Sequence, residues 1–337
     1  METRIRNNVL STDTSESFLE RFAEIAEAIA STTKKLEKAA LLGGYLRRLD
    51  DADLGRAARY FAGHQFASND ARTTNVGGSI ITAALSEATG LSKDELYPIY
   101  VRLGDAGETA FEAVTKAKPY QEPTITLAET ESIITRLSET PGIKNKTRLL
   151  VVVLGHATPL EAKYLIKLLA GDLRIGLRES LVEDAIARAF EQPLAQVSKV
   201  NMLLGDIGET AVRARANDFE TVSMRLFHPI KFMLATPATD LADIARTMPD
   251  EFFVEDKFDG IRAQAHTKDG RVAIYSRTMD EITHRFPELV LPLQSLGVDA
   301  VIDGEIVPAR GEHILPFSEL QNRLGRKTIG ADLMSEV

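Results

Sequence analysis

The densest cluster of chemistry-bearing residues is Glu255-Asp256-Lys257-Phe258-Asp259-Gly260-Ile261-Arg262. Glu255, Lys257 and Asp259 alternate, and alternate residues of an extended chain share one face. The expectation is a strand end that gathers an amine and two carboxylates on a single side. Phe252, Phe253 and Val254 precede the trio and Phe258 interrupts it. That pattern predicts burial on at least one side, whereas a plain solvated face would need no such neighbours. Gly260 permits a sharp departure from the strand. Two downstream segments add to this cluster. Ser276-Arg277 closes a strand-like run and is followed by Thr283, Phe286 and Pro287. Asp303-Gly304-Glu305 lies inside the apolar run VIDGEIV, where a carboxylate is costly unless it meets a cation or a donor.

Composition narrows the chemistry. The chain has 337 residues, of which 44% are hydrophobic and 26% charged, the balance of a globular protein with one to three domains. Cysteine is absent, which excludes disulfides, thiolate catalysis and cysteine-ligated metal. The six histidines form no HExxH or close pair. No apolar run is long enough to span a bilayer, and METRIRNNVLSTDTSE has no signal-like apolar core. The reading is a soluble, cytoplasmic protein without a membrane partner. Net charge is −9, divided as −4 over residues 1–224 and −5 over 225–337. Any nucleic-acid contact must therefore come from local patches or backbone amides.

The elements that must position these residues fall into two textures. The first two-thirds are helical. Phe18, Phe22, Ile25 and Ile29 mark one helical face, and Ser17 with Glu20 fits a capping box. Thr158-Pro159-Leu160-Glu161 is a second helix start, with Leu160, Tyr164, Leu165, Leu168 and Leu169 as its apolar face. An internal repeat is visible. RLGDAGETA (102–110) matches LLGDIGETA (203–211) at an offset of 101, and Tyr60–Gly63 matches Leu168–Gly171 at 108. The region 46–110 thus resembles 147–211, which predicts a duplicated helical unit with pseudo-two-fold symmetry. The GD-x-GE segments have two readings. They could be helix–helix corners that need glycine, the better supported of the two, or loops with free amides for phosphates. From about residue 225 the pattern becomes strand-like. Residues 261–265, RVAIYS and AVIDGEIV read as antiparallel strands, with Lys268–Arg271 as a hairpin turn.

Taken in order, KFDG, SR and DGE resemble motifs I, Ia and III of the covalent nucleotidyltransferases, a superfamily of ATP-dependent DNA ligases, RNA ligases and capping enzymes. GDAGETA, AGDLRIGLRES and HPIKFMLATP are similar to the helical DNA-binding domain and linker of archaeal- and eukaryotic-type replicative ATP-dependent DNA ligases, an organisation shared by bacterial versions. The resemblance implies a multidomain chain. An all-α DNA-binding domain with the pseudo-two-fold repeat would span 1–215 and a linker 216–235. The front part of an α+β, antiparallel-sheet nucleotidyltransferase domain would span 236–337.

The resemblance also implies roles. Lys257 would attack the α-phosphate of ATP and form a lysyl–AMP phosphoramidate. An amine must be neutral to attack, and desolvation beside cations favours that form. Glu255 would accept from the adenine amino group, and Asp259 would orient the pocket. Arg262 and Arg277 would contact ribose or phosphates. Glu305 would hold either the ribose or a divalent metal such as Mg2+. The family's later motifs and its OB-fold domain have no counterpart before ADLMSEV, so the expectation is a ligase truncated after motif III and poor at sealing nicks by itself. The implied reaction joins nicks in duplex DNA in replication, repair or recombination, by a monomer. Two other readings are an inactive DNA-binding fragment and an RNA ligase or capping-type enzyme, the last disfavoured by the duplicated helical domain. For duplex binding the candidate basic clusters are Lys144, Lys146 and Arg148; Arg174 and Arg178; and Arg213 and Arg215.

Overall fold

The computed structural model describes residues 14–324 apart from 69, 71, 118–121, 234 and 312. Motifs beyond 324, including ADLMSEV, lie outside the described residues. The chain divides into two units, Met1–Val222 and Ser223–Val337.

The first unit is all-helical. Its first half comprises α1 (Leu19–Ala30), α2 (Lys35–Leu46), α3 (Asp51–Phe61), α4 (Gly78–Thr89), α5 (Lys93–Leu103) and α6 (Ala106–Ala117). The second half comprises α7 (Leu127–Glu139), α8 (Ile143–Leu154), α9 (Pro159–Ala170), α10 (Glu179–Ala189), α11 (Leu194–Leu204) and α12 (Ile207–Ala216). At offsets of 108 and then 101 the helices of the two sets start in step and end within two residues of each other, so the repeat is longer than the sequence match from 46 suggested and begins with α1 and α7. The change of offset sits in one place. The loop 62–77 after α3 is longer than its counterpart 171–178 after α9.

The halves pack through each other: α6 lies on α9 and α12 on α3, while α10 lies on α2 and α8 on α4. Helix α9 is buried from Glu161 to Leu169, so the single apolar face expected for it understates its position. It starts as the residue pattern predicts. Thr158 accepts from the Glu161 amide, the Glu161 side chain returns to Thr158, and Pro159 opens the helix. Glu161 also accepts from the Ile125 amide at 3.0 Å. The expected capping box at Ser17 does not form. Ser17 closes a short 3-10 turn, Phe18 is the cap residue and has no side-chain cap, and the Leu19 amide donates to the Ile125 carbonyl at 2.8 Å. The core centres on Phe22, Tyr45, Tyr60, Phe61 and Tyr164, with Phe22 and Phe61 at 4.2 Å between ring centres. No helix among the described residues is long and apolar enough to cross a membrane.

The second unit holds a three-stranded antiparallel sheet in the order β2-β1-β3, with β1 at Ile261–Lys268, β2 at Arg271–Ser276 and β3 at Ala300–Ile306. Asp269 and Gly270 both have positive φ (49° and 73°), the two-residue turn that matches strand twist. Alternation gives the sheet two faces. Ala263, Ala265 and Ile274 pack on Ile282, Phe286 and Leu320. The other face carries Arg262, Gln264, His266 and Tyr275, and the segment 227–233 runs along it. The Phe227 amide donates to His266 Nδ1 at 2.8 Å, the Ile230 amide donates to Gln264 Oε1 at 2.9 Å, and the Tyr275 hydroxyl donates to the Phe227 carbonyl at 3.1 Å.

Candidate functional site

Residues 252–259 do not extend the sheet. They have no regular secondary structure, and β1 begins only at Ile261. The expected burial is also absent: Phe253 is 96% exposed and Val254 85%. Glu255, Lys257 and Asp259 are exposed and make no hydrogen bond or ion pair among the described residues. Alternation in an apolar context looked like a strand, but among the described residues no strand pairs with the segment to accept its backbone groups. Gly260 also serves a different purpose from the one expected. It joins β1 rather than departing from a strand, and a Cβ there would lie 2.2 Å from the Ile306 carbonyl oxygen. Only glycine lets the Lys257 segment approach the end of β3 so closely.

The sheet brings a second group together. Arg262 on β1 stands opposite Glu305 on β3 in register. Its guanidinium donates to both carboxylate oxygens of Asp303, Nε at 3.2 Å and Nη2 at 2.8 Å. Nη1 donates to the Met233 carbonyl at 2.9 Å, and the group lies 4.6 Å from the centre of the Phe232 ring. The hydrogen bonds to Asp303 hold the guanidinium in its charged form and move its pKa upward. The cost of a carboxylate within an apolar strand is thus met by a cation, and β3 is exposed at this point. Asp303 belongs to the cluster although only its neighbour Glu305 was singled out. The sequence signal was the carboxylate's place in VIDGEIV.

Arg277 is presented differently. The Ser276 hydroxyl accepts from the Thr278 and Asp280 amides, each at 3.2 Å, and closes a tight turn whose tip exposes Arg277. Thr283 Oγ1 accepts from the Ile274 amide at 2.9 Å, and Phe286 is fully buried, so these two downstream residues anchor the turn.

In the helical unit the GD-x-GE corners are packing devices. Gly104 and Gly205 end α5 and α11 in left-handed conformation. Asp105 accepts from the Glu108 amide at 3.0 Å, and Asp206 from the Gly208 amide at 2.9 Å, so these amides are occupied. Each aspartate then reaches a cation in the opposite half: Lys167 at 2.8 Å from Asp105, and Arg59 at 2.8 Å from both oxygens of Asp206. Burial works against ionised Asp105, but Lys167 and the amides outweigh it and hold its carboxyl below the ordinary range. A Cβ on Gly107 would lie 2.7 Å from the Lys163 carbonyl, and one on Gly208 2.5 Å from that of Gly55. The corner reading therefore holds over the phosphate-loop reading.

The basic clusters separate in the same way. Lys146 is buried against the Thr74 carbonyl, as Lys38 is against that of Ile175. Arg213 pairs with Glu209 and Asp218, Arg215 with Asp51, and Arg174 donates to the Gly104 carbonyl at 2.7 Å. Lys144, Arg148 and Arg178 are exposed and unpaired among the described residues.

Comparison with known proteins adds the following. A family model described as DNA ligase N terminus matches residues 17–187, and one described as ATP dependent DNA ligase domain matches 232–337. The chain is 44% identical over 319 residues to a probable DNA ligase of Koribacter versatilis, covering 95% of this chain and 55% of that protein. It is 31% identical to the DNA ligase of Archaeoglobus fulgidus, covering 94% of this chain and 59% of that one. The chain thus spans little more than half the length of these relatives. A solved structure called Pmar-Lig_Pre is similar in fold at a TM-score of 0.52 and 15% identity, over 91% of this chain and 53% of that one.

Proposed function

Because the chain belongs to the ATP-dependent DNA ligase family, we propose that it supplies the DNA-binding and nucleotide-charging parts of an enzyme that seals nicks in duplex DNA through a lysyl–AMP intermediate. The observation that carries this reading is Lys257. It is the only lysine in a K-x-D-G setting, it is exposed and unpaired among the described residues, and Gly260 ties its segment to the end of β3 beside Glu305. Its neutral amine attacks the α-phosphate of ATP, the N–P bond forms, and pyrophosphate leaves. AMP then passes to the 5′-phosphate at the nick, and the 3′-hydroxyl displaces it.

The other residues bind and orient. Glu255 accepts from the adenine amino group, and Asp259 orients the lysine. Arg262 and Arg277 hold ribose or phosphate oxygens, for which a planar charged fork is suited. Glu305 holds the ribose or a magnesium ion. Magnesium binds through one or two carboxylates together with substrate phosphates, and an exposed Glu305 fits that donor set. The ion would supply charge neutralisation at the phosphates. We assign 1–215 to the DNA-binding domain, 216–235 to the linker and 236–337 to the nucleotidyltransferase domain, in a monomer acting in the cytoplasm.

The test is incubation of the chain with α-labelled ATP or GTP and magnesium, followed by denaturing gel. Label from ATP that is retained on the wild type and lost in Lys257→Ala supports the ligase reading. Label from GTP would move the assignment to capping chemistry, and label surviving the substitution would remove Lys257 as nucleophile.

A further inference from the structure

Arg262 is held far more tightly than an exposed arginine needs to be. A guanidinium has five N–H donors in a rigid fork. Three are engaged here: Nε and Nη2 by the two oxygens of Asp303, and Nη1 by the Met233 carbonyl. Phe232 supports one flat face at 4.6 Å. One N–H remains on each terminal nitrogen. The side chains of Arg262 and Asp303 are 34% and 44% exposed, and an ion pair so open to water adds little to stability while costing side-chain freedom. The arrangement makes better sense as preorganisation, because an arginine fixed in advance surrenders less freedom when a ligand arrives.

We propose that Asp303 is a positioning residue. With the 232–233 segment as backing, it fixes Arg262 so that the two free donors face a pair of acceptor oxygens on the bound nucleotide. This rests on the reading that the site takes ATP, and it adds a residue and a segment to which that reading gave no role. Asp303 touches no substrate and acts through Arg262. Glu305, opposite Arg262 in register, stays free for its own ligand because Asp303 satisfies the cation.

The experiment uses the full 337-residue chain, enriched with 15N-arginine, as wild type, Asp303→Asn, Asp303→Ala and Arg262→Lys. Side-chain NMR follows Arg262 during titration with ATP, and covalent labelling at saturating ATP is measured in parallel. In the wild type, ATP should shift the terminal N–H signals of Arg262. Asp303→Asn and Asp303→Ala should each raise the half-saturating ATP concentration on the order of tenfold. The unfolding midpoint and the labelling rate at saturation should stay near wild type. Arg262→Lys should show the same loss of affinity, since an ammonium offers no fork. With 2′-deoxy-ATP the gap between wild type and Asp303→Asn closes if the fork grips the ribose, and it persists if the fork grips phosphate. Either result supports the positioning role. Unchanged ATP affinity in Asp303→Asn, or affinity lost only in step with a lowered unfolding midpoint, overturns it and leaves ATP charging at Lys257 standing. A wild type that neither shifts at Arg262 nor takes label brings down both.

Discussion

Two short motifs of similar composition lead opposite lives in this chain. GD-x-GE occurs twice and is consumed by the fold. Its aspartates are buried, its amides are occupied, and its cations come from the other half of the repeat. K-x-D-G occurs once and is left open, with Lys257 and Asp259 exposed and unpaired among the described residues. The difference teaches how to weigh a charged motif. Duplication at equivalent places in a repeat points to a shared packing solution. A solitary motif whose groups have no internal partner has no structural need for its charges.

The largest effect should come from the open motif. Lys257→Ala should abolish covalent AMP labelling while leaving duplex binding and thermal unfolding of the helical unit unchanged. A drop in helical stability equal to that of a core variant would erase the contrast between the two motifs.

The closed motif should behave in the reverse manner. Asp206→Ala removes the nearest partner of Arg59, whose side chain is one-quarter exposed and keeps Glu131 at 3.8 Å, and should destabilise the helical unit by roughly 1–3 kcal/mol. Gly208→Ala places a methyl against the Gly55 carbonyl, and overpacking of that kind costs about 1–3 kcal/mol. Chemical denaturation reads both. If either variant instead lost duplex binding without loss of stability, the corner would be a phosphate loop after all.

The fold was more legible than the site, for a physical reason. Helical periodicity and the Thr158–Glu161 start report local preference, and the repeat reports itself twice. The hairpin at Asp269-Gly270 needs positive φ at two positions, and that residue pair announces it. Residues 252–259 misled because alternation predicts a strand only where another strand can pair with it, and pairing is not local. The use of Lys38 and Lys146 against loop carbonyls was hidden likewise, since each partner lies in the opposite half. Arg262 was visible as a site residue, but its link to Asp303 depends on the β1–β3 register.

A third prediction concerns pH. His266 is fully buried, and burial, with His228 adding to it, depresses its pKa to about 4. Its Nδ1 accepts from the Phe227 amide and its Nε2 faces Gln264 Oε1 at 2.7 Å, an arrangement that suits the neutral ring. Below the ordinary histidine pKa of about 6.5 the unfolded chain takes up a proton that the folded unit refuses. Stability of the second unit should therefore be full above pH ~6.5 and fall as pH drops toward ~4, by at most about 3 kcal/mol. His266→Gln should flatten this dependence. An unaltered pH profile in that variant would show that the 227–233 segment is held by other means.

The smallest effect separates open from closed charges within the helical unit itself. Lys144, Arg148 and Arg178 are exposed and unpaired among the described residues, whereas Arg213 and Arg215 are tied to carboxylates of their own unit. A cation already paired must break that pair before it can bind phosphate, so it contributes little to duplex affinity. Each free cation that meets a phosphate releases condensed counterions, and the slope of log affinity against log salt falls by about 0.9 per contact. Replacing Lys144, Arg148 and Arg178 together should weaken duplex binding by roughly tenfold at moderate salt and flatten the salt slope by about two to three. Replacing Arg213 and Arg215 should leave the slope unchanged and lower the unfolding midpoint. Contact to phosphates implies little dependence on base sequence, so the loss should be equal on unrelated duplexes. Fluorescence anisotropy across a salt series distinguishes the two sets. Equal slopes for both would mean that the ion pairs of Arg213 and Arg215 open on DNA, and that pairing in the free protein does not mark a charge as structural.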